Sequence, residues 1–184
     1  MPVSLEGQDT ELRRRLVIEN ETISGHCDRV AALRQEFRHT IRCLERPAEG
    51  TCVTYALELL NRFRTLVVEL QAEDVKPGRT FVEWLLRNGK VAELATPEPD
   101  SLALYFDVET WKHAAVVLPL GRARSEWGSY AIFEHRLSEV PADYGNIVRF
   151  FRKASAHACS LSLDASSSIS SPRDPPPPRE DGRT

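Results

Sequence analysis

Apolar side chains in the N-terminal part of the chain recur three or four positions apart. After Asp28, a residue type that caps helices, this spacing is typical of one helix face. The apolar positions are Val30, Leu33, Phe37, Ile41 and Leu44, with a looser helical pattern before them at Leu12, Leu16 and Ile23. Pro47 and Gly50 then end the pattern. We therefore predict an N-terminal helical segment over residues 1–46.

A second helical stripe covers residues 51–70. Its apolar positions are Val53, Ala56, Leu57, Leu60, Phe63, Leu66, Val67 and Leu70. Such a stripe predicts a long helix that packs on a core. A shorter helix follows, because Thr80 and Glu83 match a capping box, in which each side chain satisfies a free N–H at the helix start. The turn residues Asn88 and Gly89 end that helix.

Beyond residue 100 the pattern changes to short apolar runs bounded by turns, which is typical of buried strands. The predicted strands are residues 102–106, 114–118, 122–127, 130–134 and 146–152, with a loop at 141–145. Helices first and an antiparallel meander after them predict an α+β fold, with the helices packed on one side of the sheet. We assign residues 47–155 to this core domain.

The end of the chain, residues 156–184, is rich in serine and proline and contains no aromatic residue. Such a segment buries too little apolar surface to offset its conformational entropy, so we predict a disordered tail. The run Pro175–Pro178 fits a polyproline II ligand for an aromatic groove. A plain solvated tail is the favoured alternative.

Charge and hydropathy exclude several classes of protein. The 184 residues include 24 Lys and Arg against 27 Asp and Glu, a net charge of −3. A protein that coats nucleic acid needs a basic face, so we expect no nucleic-acid partner. No apolar run reaches the roughly 18 residues of a membrane-spanning helix. The first residues also lack the basic start and apolar stretch of a secretory signal, so we expect no membrane association and a cytoplasmic location.

The four cysteines, Cys27, Cys43, Cys52 and Cys159, are far apart in the sequence. They form no C-x-x-C pair and no pattern typical of a small disulfide-bonded protein. None lies at zinc-ligand spacing from a histidine, so no metal is expected. The interpretation that remains is burial of the thiols, or reactivity in one of them.

Cys52 is the candidate for reactivity, because it follows Gly50 and Thr51 at the start of the predicted core helix. A helix N-terminus carries partial positive charge and free N–H groups, which stabilise a thiolate and an oxyanion. His113 opens an apolar strand, where its ring could take the thiol proton and pass it to a leaving group. A buried cysteine and an ordinary strand-edge histidine are the alternative.

Six pieces of the chain, in this order, resemble the NlpC/P60-type branch of the papain-like cysteine hydrolases. They are residues 51–56 (TCVTYA), 99–106 (PDSLALYF), 113–117 (HAAVV), 125–128 (SEWG), 133–135 (FEH) and 140–145 (VPADYG). The resemblance covers roughly residues 48–153. It implies a papain-like core, in which the helix that carries Cys52 packs on a small antiparallel sheet.

The resemblance also implies a catalytic set. Cys52 would be the nucleophile, His113 the general base and then acid, and a polar residue on the next strand would orient the imidazole. Ser125 matches that position, whereas strand alternation places Glu126 on the opposite face. His135 is held in reserve, because a tight turn at residues 128–129 would set it opposite Arg122.

The function that follows is a cysteine-nucleophile hydrolase or acyltransferase, similar to a thiol protease or amidase, acting on an amide or thioester bond of a peptide or amide substrate. It needs no cofactor. The missing signal favours an intracellular enzyme or a delivered toxin. The alternative is a catalytically inactive papain-fold scaffold that binds a protein partner through the N-terminal helices or the proline-rich tail, because Thr51-Cys52-Val53 replaces the Asp-Cys-Ser usual in the family.

Overall fold

The structure of the chain is a computed structural model. It describes residues 2–16, 22–44, 51–59, 78–128 and 131–153. Contacts between residues group the chain into two units, Met1–Ala154 and Ser155–Thr184, and all described residues belong to the first unit. The predicted tail at 156–184 and the predicted helix from residue 60 onward lie outside the described residues.

The described α-helices all precede Val91, and from there onward the described strands are interrupted only by 3-10 turns. The α-helices are α1 (Thr10–Arg15), α2 (Ile23–Ala32), α3 (Cys52–Leu59) and α4 (Arg79–Arg87). The strands are β1 (Val3–Ser4), β2 (Arg42–Cys43), β3 (Val91–Leu94), β4 (Leu102–Asp107), β5 (Thr110–Leu118), β6 (Arg122–Trp127), β7 (Ala131–Arg136) and β8 (Ile147–Lys153). Short 3-10 turns cover Leu33–Gln35, Pro119–Gly121 and Ala142–Tyr144.

The strands form one antiparallel sheet in the order β1-β8-β4-β5-β6-β7-β2, and β3 pairs with the remaining part of β8. The predicted meander is present as β4 to β7, and β8 returns to pair with β4. The α+β class and its antiparallel sheet are therefore confirmed. The papain-like fold stays a prediction.

Helices cover both faces of this sheet, so the prediction that they pack on one side is wrong. On β4, Leu102 and Leu104 contact the apolar cluster of α3 and α4, whereas Ala103 and Tyr105 contact the cluster of α1 and α2. We call these the α3 face and the α2 face. Five consecutive residues of β4 are buried, so side chains on both faces of this strand are shielded from solvent. Such a strand needs other elements packed on each face of the sheet.

The N-terminal segment is only partly helical, which corrects the prediction of one helix from residue 28 to 44. Helix α2 begins earlier, after Thr22, whose side chain accepts a hydrogen bond from the Gly25 N–H at 3.1 Å. Residues 42 and 43 instead form β2, in which Arg42 pairs with Glu134 of β7. Pairing with a distant strand overrides the helical periodicity here, while Ile41 remains buried as predicted.

Cys27 and Cys43 form a disulfide with a Cα–Cα distance of 5.6 Å, contrary to the expectation of unpaired thiols. No pattern in the sequence indicates this pair, because residues 42 and 43 were predicted as helix. Only the packing of β2 beside α2 brings the two cysteines together. Disulfides are typical of oxidising compartments, so the cysteines no longer favour the cytoplasm.

Helix α4 begins at Arg79 after Gly78 and has no side-chain cap, so the predicted Thr80 capping box is wrong. Its end is as predicted, with Asn88 as C-cap and Gly89 at a φ of 58°. Strand β3 was not predicted, because four residues between two turns carry little periodicity. No helix in the described ranges is long and apolar enough to cross a membrane.

Candidate active site

Helix α3 is fixed on the sheet by its apolar side. Val53, Ala56 and Leu57 are completely buried in the cluster that also contains Ala114 of β5. The first helical hydrogen bond runs from the Tyr55 N–H to the Thr51 carbonyl at 2.9 Å. Cys52 is therefore the first residue of a helix whose N-terminus lies against the sheet.

A cavity of about 280 Å³ opens at this helix N-terminus. Its walls come from α3, β5, β6, the residue after β6 and the 3-10 turn before β8. The lining residues are Thr51, Cys52, Lys112, His113, Glu126, Gly128 and Tyr144. The structure thus brings Cys52 and His113 to one cavity, while their catalytic roles stay predictions.

The environment of the Cys52 thiol favours its neutral form. Burial raises the pKa of Cys52 to about 11, and the nearby Glu126 carboxylate acts in the same direction. The nearby backbone N–H groups of Ala114, Val53 and Cys52 itself lower the pKa, but by less. The expected stabilisation of a thiolate by the helix N-terminus is therefore present, and desolvation outweighs it.

His113 directs its ring toward the α2 face. The imidazole stacks on the Tyr144 ring with a centroid distance of 3.7 Å and 9° between the planes, and it contacts Tyr105 on the other side. Burial, together with His135, lowers the pKa of His113 well below its usual value, so the ring is neutral. Its Nε2 atom is buried and has no hydrogen-bond partner, so this atom is not hydrogen-bonded to the Cys52 sulfur.

Ser125 is completely buried on the α2 face and bonds to His135 rather than to His113. Its hydroxyl lies 2.9 Å from Nε2 of His135 and accepts the indole N–H of Trp127 at 2.8 Å. The second ring nitrogen of His135 lies 2.7 Å from the Arg136 carbonyl. Nothing in this network orients the His113 imidazole, so that role of Ser125 is not supported and stays a prediction.

Glu126 lines the cavity and was not among the predicted site residues. Its side chain is 5% exposed, and its Oε2 atom is buried without a hydrogen-bond partner. Burial raises the pKa of Glu126 to about 7. Alternation along β6 had placed Glu126 opposite Ser125, but the sequence did not show that the α3 face carries the cavity.

The described residues include no group of three or more His, Cys, Asp or Glu side chains arranged to hold a metal ion. The chain was also compared with known proteins. No family model, no curated protein and no solved structure matches it.

Proposed function

We propose that the protein is a cysteine-nucleophile hydrolase or acyltransferase of the papain-like type, acting on an amide or thioester bond. One observation carries this proposal. Cys52, the first residue of α3, lines the same cavity as His113, whose buried Nε2 has no partner. A buried nitrogen without a hydrogen-bond partner lowers the stability of the fold, so its presence calls for an explanation. Accepting a proton from the thiol would explain it.

The chemistry begins from two neutral groups. As the Cys52 sulfur attacks the carbonyl carbon, the His113 imidazole takes the thiol proton, and N–H groups at the start of α3 stabilise the oxyanion. The imidazolium then protonates the leaving amine or thiol, which leaves an acyl-enzyme. Water or an acceptor amine releases the acyl group and returns the proton through His113. The mechanism requires the His113 ring to turn from Tyr144 toward the sulfur.

A second function, the catalytically inactive scaffold, is favoured by a different observation. The pKa of Cys52 is raised and the pKa of His113 is lowered, so the two groups form no thiolate–imidazolium pair at rest. In that case the domain serves as a protein-interaction module, and the N-terminal helices or the proline-rich tail contact the partner.

Acyl transfer to Cys52 separates the two functions. The full chain is mixed with a small activated thioester, and intact mass together with thiol release follows the acyl-enzyme and its turnover. We expect acylation in the wild type and in Cys159→Ser, and none in Cys52→Ser. His113→Ala should slow acylation about 10²–10⁴-fold, whereas His157→Ala should not. Equal rates in His113→Ala and His157→Ala would support the scaffold.

A further inference from the structure

The Glu126 carboxyl is a buried acid that the proposed mechanism does not use. It lies on β6, on the α3 face, in the cavity that Cys52 lines. Among the described residues it forms no ion pair, and Oε2 has no hydrogen-bond partner. A buried carboxylate without a partner is unstable relative to one in water, so a donor entering this cavity would gain a strong acceptor.

Among the residues that the structure describes, the charged and titratable groups around Glu126 do not neutralise it. Cys52 and Tyr55 face it from α3, and both are acids whose pKa its charge raises. The remaining groups are Lys112 and His113 from β5, Tyr144 from the 3-10 turn, and Arg124 and Glu134 beside it in the sheet.

In the described ranges, Arg124 and Lys112 are the cations near Glu126, and neither pairs with it. Arg124 donates from Nε and Nη2 to Oε1 of Glu134, at 3.1 and 2.5 Å. Lys112 lies at the cavity wall with an exposed side chain and makes no ion pair with Glu126. Within the described part of the cavity, the carboxylate therefore has no cationic partner.

We propose that this cavity binds substrates that carry a protonated amine or a guanidinium beside the scissile carbonyl, and that Glu126 is the group that recognises the cation. The proposal rests on the proposed function for the identity of the reacting bond, but the binding step does not need a reactive thiol. The cavity volume of about 280 Å³ suits a group of side-chain size.

Recognition of a cation also prepares the thiol for attack. The Glu126 carboxylate is one cause of the raised pKa of Cys52, and a bound cation offsets its charge. Cation binding needs the ionised carboxylate, so affinity should be full well above pH 7 and fall as the pH drops through the Glu126 pKa of about 7.

Calorimetry on the full-length Cys52→Ala protein tests the binding step without turnover. The ligands are N-acetylarginine amide and N-acetylcitrulline amide, which have nearly the same shape and differ in charge. At pH 8 we expect arginine to bind about tenfold or more tightly than citrulline. Adding Glu126→Gln should reduce the difference to about twofold, and the exposed Glu83→Gln should leave it unchanged.

Equal affinities for the two ligands, no measurable binding of either, or a preference that survives Glu126→Gln would each overturn the proposal. If Glu126→Gln does not fold, the same comparison at pH 5 replaces it, and an arginine preference undiminished at pH 5 overturns the proposal. Failure of the proposed function is distinct, because it would appear as absent acylation of wild-type Cys52 and leave these affinities unaffected.

Discussion

Two groups of buried polar side chains near β6 differ in how well they are hydrogen-bonded. On the α2 face, Ser125, Trp127 and His135 form a chain in which each polar side-chain atom has a partner. At the Cys52 cavity, Glu126 Oε2 and His113 Nε2 are buried without one. Residues adjacent in the sequence thus enter opposite environments.

This difference distinguishes polar side chains that hold the fold together from polar side chains that can still bind a ligand. Because the pKa of His135 is lowered to about 4, its ring is neutral. With Nδ1–H donating to the Arg136 carbonyl, Nε2 accepts the Ser125 hydroxyl proton, and that hydroxyl accepts from Trp127. Every side-chain donor in this hydrogen-bonded chain is therefore used, whereas Glu126 Oε2 and His113 Nε2 at the cavity have no partner. A buried polar side chain whose atoms all have hydrogen-bond partners indicates a structural role. A buried polar atom without a partner at a cavity indicates a role in binding or catalysis.

Tyr144 contacts both groups of side chains, so a change beside its 3-10 turn should disturb the packing of both. Its ring stacks on His113 and meets Trp127 edge to face. The next residue, Gly145, has a φ of 94°, and a Cβ there would overlap the carbonyl group of Phe106. We expect Gly145→Ala to lower the free energy of unfolding by about 4 kcal/mol, measured by chemical denaturation.

Gly121→Ala is the matched control for this prediction. Gly121 also has a positive φ, 68°, but its surroundings are open. The cost there should be about 1 kcal/mol, from backbone strain alone. Similar losses for the two variants would show that the contact between Gly145 and Phe106 is unimportant.

Ser125→Ala tests whether the hydrogen-bonded network is structural. The change leaves the Trp127 N–H and His135 Nε2 buried and unpaired, which should destabilise the fold by about 3 kcal/mol. Ser138→Ala removes an exposed hydrogen bond to Asp9 and should cost less than about 0.5 kcal/mol.

Cys52 acylation should stay within about twofold of wild type in folded Ser125→Ala. A loss as large as in His113→Ala would restore Ser125 as the orienting residue.

The pH dependence of stability tests the unpaired carboxyl. The pKa of Glu126 is raised from 4.5 to about 7 on folding, so the native state binds the proton more tightly than the unfolded chain does. Its contribution is therefore most favourable below pH 4.5 and is lost as the pH rises through 7. At pH 8 we expect Glu126→Gln to be more stable than wild type by about 2 kcal/mol, and by much less at pH 4. Parallel stability profiles for the two proteins would contradict the burial of a charged group.

The smallest expected effect concerns the Cys52 thiol. Removing the negative charge with Glu126→Gln should lower the pKa of Cys52 from about 11 by about one unit. The measurement is the rate of alkylation against pH, with Glu83→Gln as the control of equal charge change. An unchanged titration curve would mean that the carboxylate is too far from the sulfur to matter.

The central part of the fold was predictable because its signals are local. Strands β4 to β7 follow from apolar runs and turns, and Cys52 begins α3 as predicted. His113 was predicted to open its strand, but β5 begins at Thr110 and His113 is the fourth residue of that strand. Strand β2 was not predictable, because Arg42 and Cys43 owe their conformation to β7, about 90 positions away.

The environment of Ser125 depended on a register that the sequence does not specify. A turn at residues 128–129 would have paired His135 with Arg122, but the structure pairs it with Ala123. A slip of one residue turns a side chain to the other face of the sheet. His135 therefore reaches Ser125. Glu126 was not predicted as a site residue for a related reason. Strand alternation shows which face of the sheet a side chain is on, but it does not show where a cavity forms on that face.

The disulfide between Cys27 and Cys43 has a consequence for handling the protein. It ties β2, a strand of two residues, to α2 and so holds it over the edge of β7. Reduction removes that link, and the pairing of two residues alone holds β2 only weakly on the edge of β7. Loss of β2 would leave the backbone N–H and C=O groups of β7 open to strands of other molecules. We therefore expect reducing agents to promote self-association, visible as a rise in light scattering with protein concentration.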